Sequence, residues 1–370
     1  MRHPLFCLLV GAFCFEPALY AFEVDNPSCH FQQMQDVSGA LNAEVNRRIK
    51  TALDASYAQG AKPKEEVEVP EPLQKWYDEQ KATVEKAHLN AEEKKKALEG
   101  LKKQFDFQMN GLVVPSLVGC DKTQVFEVLR AALASSWMGN METWASDQNF
   151  SKCIMDAKKS VYKEFTYMES PMISMAGLNY VVQVGDTKIG VDKLSHFMTE
   201  GFDYYQKSKE GASLEEVLKL GEAEEDGGYG LTTTGVKSYA DMMADYEGLQ
   251  FWKQLIEGPH PYLACENGKW VPKRKFDWNE YVNPGFDESI NCSDYKTKKM
   301  EEKVDKATSA LVKEHGEGPP FTCPIDLEKC SAIKKYVTDP VAYQAIIHSR
   351  CKAVSEGGSA SQGGSPHATH

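Results

Sequence analysis

The chain has 370 residues, of which 26% are charged, and carries a net charge of −12 at neutral pH. That balance excludes nucleic acid and anionic lipid surfaces as expected partners. No stretch after the first 21 residues approaches the ~20 apolar residues a membrane helix needs, and the length suits one large domain or two ordinary ones.

The opening residues have the layout of a secretory signal peptide. Arg2 supplies the positive charge, Leu5 to Phe15 the apolar run, and "ALYA" at Ala18 to Ala21 the small-residue ending, although Leu19 is larger than usual there. Export, to the periplasm or medium, with a mature start at Phe22 is the expectation. Cysteine usage agrees. Beyond Cys7 and Cys14 there remain Cys29, Cys120, Cys153, Cys265, Cys292, Cys323, Cys330 and Cys351. An even set in an oxidising compartment predicts up to four disulfides, with about 105 pairings open. Cys265 with Cys292 is the expected local clasp, and the absence of CxxC argues against a zinc ribbon.

In chain order, residues 22–111 read as an N-terminal helical extension, 112–353 as the main helical domain and 354–370 as a disordered tail low in apolar residues. Phe31, Met34, Val37, Leu41, Val45, Ile49 and Leu53 recur at spacings of three and four, predicting an amphipathic helix. A Gly- and Pro-containing linker follows. Leu73 to Met109 then reads as a charged helical hairpin with Asn90 as a cap and His88 on its surface.

"DKTQVFEVLRAALASSWMGNMETWASD" predicts one core helix, with Val125, Leu129, Ala132, Leu133, Trp137, Met141 and Trp144 on one broad face. "SKCIMDAKKSVYKEF" reads as helical again, and two β-rich runs around "GD" predict a small hairpin. Ser213 with Glu216, and Ser238 with Asp241, have the spacing of helix N-caps. "EDGGYGLTTTGVKS" between those helices reads as a turn or short hairpin. The aromatic stretch from Pro261 to Cys292 suits a disulfide-tied loop, and Tyr295 to His315 a further helix. The fold class is therefore mainly α with a small β element.

Two constellations bear chemistry. In "IGVDKLSHFMTEGFDYY", Asp192, His196 and Glu200 fall four apart, so a helix would stack them on one side. Asp192 orienting one ring nitrogen of His196 would leave the other for a substrate or metal. The plain alternative is a buried histidine satisfied by neighbouring carboxylates. HExxH is absent, and a zinc site would need a second histidine such as His260, so no metal or other cofactor is expected.

The second is "GEAEEDGGYGLTTTGVKSYADMMADYEG". A helix running into Glu222, Glu224 and Glu225, a Gly- and Thr-rich turn and a new helix resemble the catalytic corner of the lysozyme superfamily. That resemblance implies a lysozyme-like helical core and a glycoside hydrolase. Glu225 or Glu222 would be the general acid, and Thr232, Thr233 and Thr234 would position a water. Asp241 or Asp245 stands as a second carboxylate. The turn itself lacks an Asp, which favours an inverting mechanism through that water. The acidic balance would suit a deacetylated, cationic wall glycan.

More of the chain is covered by a second resemblance. "GVDKLSHF", "TTTGVKSYADMMADYEGLQFW" and "FDESINC" resemble a group of exported proteobacterial envelope proteins of unassigned function, the D-K-x-x-H-F element above all. It implies an envelope setting and no particular reaction. No G-x-S-x-G elbow or Walker loop occurs. Three readings stand: an envelope hydrolase acting on a cell-wall glycan, with Asp192 and His196 supporting the cleft; a non-catalytic, disulfide-stabilised module that binds an envelope protein; and, third, a metal-dependent hydrolase, which a second histidine near His196 would support.

Overall fold

The computed structural model describes residues 23–58, 71–86, 94–95, 98, 101–102, 117–134, 140–227 and 230–356. The fold is mainly helical with small antiparallel sheets. The expected signal peptide, His88, Asn90, Trp137 and the tail beyond Glu356 lie outside the described residues.

Helix Ser38–Ala58 buries Leu41, Val45, Ile49 and Leu53 along one stripe. It lies against helix Lys122–Leu133, whose Val125, Val128, Leu129 and Leu133 are fully buried. Each apolar side chain removed from water contributes roughly 1.5–3 kcal/mol, so this seam holds the N-terminal segment to the body. Phe31 and Met34 precede the helix rather than extending its stripe.

The centre of the body is three helices, Asp192–Met198, Glu200–Lys209 and Tyr239–Gln254, which pack on one another. Phe197 anchors the first of them. Its ring meets Phe251 at 5.6 Å, Trp278 at 4.7 Å and Tyr281 at 5.1 Å between centroids. Leu214–Asp226 begins with the expected capping box of Ser213 and Glu216, and Ser238 caps Tyr239–Gln254 by accepting from Asp241 N.

Lys152–Cys153, Val181–Val184 and Thr187–Gly190 form a three-stranded antiparallel sheet, the last two being the expected hairpin. Val236–Ser238 pairs with Ser293–Tyr295, which sets Ser238 opposite Ser293 and draws the loop before it inward. Leu263–Glu266 and Lys269–Pro272 form a hairpin whose tip, Asn267 and Gly268, takes φ of 51° and 74°, as a two-residue primed turn requires.

Several expectations are corrected. The expected long core helix is two, because Asn140 starts a second helix at Met141 by accepting from Thr143 N. "SKCIMDAKKSVYKEF" is not helical. Lys152 and Cys153 join the sheet, and the Asp156 and Ser160 side chains hold the backbone in turns by accepting from Lys158 N and Tyr162 N. The Gly-rich segment turns and then pairs with a distant strand instead of with itself. Cys265 does not bond Cys292. The pairs are Cys29–Cys153, Cys120–Cys265, Cys292–Cys323 and Cys330–Cys351, so Cys265 reaches 145 residues back while Cys292 bonds a cysteine 31 residues on. Cys29 thereby fastens the N-terminal segment to the body.

Candidate functional site

Asp192, His196 and Glu200 do not share one helix. The chain breaks at Thr199, so Asp192 and His196 lie on one helix and Glu200 opens the next. All three still face a single buried cluster, because the neighbouring helix supplies Asp241 and Asp245 at its first and second turns.

That approach depends on two glycines. A Cβ on Gly201 would stand 2.6 Å from Gly248 Cα, and one on Gly248 would stand 2.0 Å from Phe197 O. With side chains there the helices would part, and Glu200 would leave Asp245. Trp252 Nε1 donates to Met198 O at 3.0 Å across the same crossing.

Lys193 is the cation of the cluster. Its side chain is wholly buried, and its Nζ lies 3.0 Å from Asp192 Oδ2 and 2.6 Å from Asp241 Oδ1, with a third contact to Glu288 Oε1. Burial opposes its charge, but these carboxylates raise its pKa well above the ordinary value. Glu288 is pushed up to about 7 by burial. Glu23, buried beside them, is raised by burial and then by Glu288.

His196 lies between two carboxylates. Nδ1 donates to Asp245 Oδ1 at 3.0 Å, and Nε2 stands 3.6 Å from Asp241 Oδ2. Burial disfavours its charge, yet Asp241 and Asp245 hold its pKa well above the usual range. Asp241 is the carboxyl whose pKa falls: burial acts against ionisation, but His196 and Lys193 outweigh it. Asp192 and Asp245 are raised by burial, and Glu200 is raised by burial to about 8.

Glu225 is buried and accepts from Ser238 N at 2.9 Å. Burial pushes its pKa well above the ordinary carboxylate range, and the charge of Asp241 adds to this. Atoms of His196, Glu225 and Asp241 lie within 4.8 Å of one another. Ser238 joins the parts, since its Oγ also donates to Glu288 Oε1 at 2.9 Å.

The other expected site residues are elsewhere. Glu222 is on the surface, 3.2 Å from Lys237. Thr232 donates to Gly227 O, Thr233 to Gly230 O at 3.3 Å and Thr234 to Gly230 O at 3.2 Å. These hydroxyls donate to the backbone of their own turn.

Sequence reasoning missed Lys193, Glu288, Glu23 and Glu142. Lys193 and Glu288 stand inside "GVDKLSHF" and "FDESINC", two of the three segments that carried the second resemblance. All three segments meet here. Among the described residues, the groups able to hold a metal ion are His196–Glu200–Asp245, His196–Glu225–Asp241 and Asp192–Asp241–Glu288; none includes His260. The last group already surrounds the Lys193 ammonium.

Comparison with protein-family models, with curated proteins and with solved structures found no match.

Proposed function

We propose that the protein is an exported cell-envelope glycoside hydrolase with Glu225 as general acid and Asp241 as the second carboxylate. The observation that carries this reading is their pairing: the two carboxyls come within 4.8 Å and have opposite surroundings. Asp241 faces two cations, Lys193 at 2.6 Å and His196 at 3.6 Å, whereas Glu225 has, among the described residues, only the His196 cation nearby and accepts from a neutral backbone N–H. A proton shared between them belongs on Glu225.

Their separation lies near the ~5–5.5 Å of retaining glycosidases and short of the ~6.5–9.5 Å of inverting ones. Glu225 would give its proton to the glycosidic oxygen as that bond breaks, and Asp241 would bond to the anomeric carbon. Water would then replace Asp241 as Glu225 recovers a proton. The side chains of His196 and Asp241 are 11% and 13% exposed, so they mark the edge of the cluster that reaches solvent. The test is incubation of the mature chain with purified peptidoglycan, native and deacetylated. Reducing ends with retained configuration are expected; inverted products would remove Asp241 from its role, and no release from either substrate would sink the proposal.

The rival reading is a disulfide-stabilised envelope binding module with a structural polar centre. The depth of Glu225, 4% exposed, favours it. So does an exposed apolar patch of Tyr167, Met168 and Met175, where Tyr167 Oη meets Met175 Sδ at 3.5 Å. On that account a pull-down would recover an envelope protein that Met168→Glu abolishes, while no glycan is cleaved.

A further inference from the structure

The carboxylates of the cluster outnumber its cations. Glu142, Asp192, Glu200, Glu225, Asp241, Asp245 and Glu288 gather around Lys193 and His196. Lys193 serves the side formed by Asp192, Asp241 and Glu288. On the opposite side of His196, Glu200 and Asp245 face no lysine or arginine within ion-pair reach among the described residues.

Two carboxylate oxygens near His196 are buried and without a hydrogen-bond partner, Glu142 Oε2 and Glu200 Oε2; Glu288 Oε2, beside Lys193, is likewise unpartnered. Glu142 is 4% exposed; its other oxygen accepts from Asn179 Nδ2 at 2.7 Å, and its charged neighbours are Asp192, His196 and Glu200. A buried carboxylate oxygen left unpaired is costly, and a missing cation is a physical explanation for two at one place.

We propose that His196, Glu200 and Asp245 bind a first-row divalent cation, with Glu142 as a third carboxylate nearby. Their donor atoms lie within 4.8 Å of one another. Ligands about 2.1 Å from one tetrahedral ion stand ~3.4 Å apart, so the widest pair closes by up to about 1.4 Å on binding. One imidazole among carboxylates suits Zn²⁺ or Mn²⁺ better than Ca²⁺, which takes oxygen ligands alone. The cation replaces the proton on Nδ1. Nε2–H still faces Asp241 at 3.6 Å and fixes the ring, the outer-shell arrangement usual for a metal-bound histidine. This site stands whether or not glycan cleavage is the reaction.

The test uses the full mature chain stripped with chelator, titrated with Zn²⁺ by calorimetry and with Mn²⁺ by electron paramagnetic resonance. One equivalent is expected to bind, and Glu200→Gln and Asp245→Asn to weaken it at least tenfold. Glu142→Gln should weaken it less, and Glu222→Gln on the surface not at all. Absence of saturable binding to the wild-type chain would overturn the proposal, as would binding that Glu200→Gln leaves unchanged. Binding lost in Glu225→Gln but kept in Glu200→Gln would place the ion on the Glu225–Asp241 pair, overturning this site and the acid role of Glu225 together. Glycan cleavage without metal binding would remove this site alone.

Discussion

Lys193 Nζ lies 2.6 Å from Asp241 Oδ1, joining the first turn of one buried helix to the first turn of another. Removing one partner of a buried ion pair strands the other charges and costs about 3–5 kcal/mol. Lys193→Met is therefore expected to lower unfolding free energy by about that amount, measured by urea denaturation. A loss below ~1 kcal/mol, the range of a surface pair, would mean that the cluster is not held by this lysine.

The Gly201–Gly248 crossing gives a second prediction. Gly248→Ala would set a methyl 2.0 Å from Phe197 O, where backbone must move, so a loss of at least ~1–3 kcal/mol is expected. Gly39 near the start of helix Ser38–Ala58 has nothing within 4 Å of an added Cβ. Gly39→Ala should be neutral or stabilise by up to ~1 kcal/mol. Thermal unfolding of both variants checks the contrast; equal effects would contradict it.

Cys120–Cys265 spans 145 residues and links the start of helix Lys122–Leu133 to the hairpin at Leu263–Glu266. Replacing both cysteines by Ala should cost ~2–5 kcal/mol, since the open chain gains the freedom that this closure removes. Denaturation of the double variant beside the parent measures it. A stability unchanged within error would deny the bond a constraining role.

Glu169 is one of several carboxylates outside the cluster that contribute to acid stability, with Glu44, Asp277 and Asp294. Lys303 and the Thr166 N–H outweigh burial and lower Glu169 from 4.5 to about 2. Its folded pKa is depressed, so its contribution is present above pH ~4.5 and lost as pH falls through about 2. The pair is partly hydrated, which limits the effect to about 1 kcal/mol. Glu169→Gln should cost that much at pH 7 and progressively less as pH falls from 4.5 toward 2. A cost that persists undiminished at pH 2 would contradict the linkage.

Local signals in the sequence anticipated much of this fold. The Leu41, Val45, Ile49 and Leu53 stripe, the Ser213 and Ser238 caps and the hairpin around Gly185 depend on neighbours within a few residues, and all are present. The errors came where distant chain intervenes. Lys152 and Cys153 extend a sheet because Val181 and Val182 are there to pair with, and Cys265 bonds Cys120 because the hairpin reaches the start of helix Lys122–Leu133, where Trp270 Nε1 donates to Asp121 O. For the cluster, spacing put forward Asp192, His196 and Glu200, and the resemblance to the lysozyme corner put forward Glu225, Asp241 and Asp245. Lys193 was passed over because a lysine beside an aspartate on an amphipathic segment ordinarily points to water. Glu288 was passed over because its place depends on the Val236–Ser238 pairing with Ser293–Tyr295.

The most direct test of the hydrolase assignment is the rate of reducing-end release from purified peptidoglycan by the wild-type chain, Glu225→Gln and Glu222→Gln, each verified as folded by near-UV circular dichroism. Loss of a general acid predicts a fall of about 10²–10⁴-fold in kcat for Glu225→Gln. Glu222→Gln, on the surface against Lys237, should match wild type. Equal rates for wild type and Glu225→Gln, or release abolished by Glu222→Gln alone, would contradict the placement of the acid at the buried cluster.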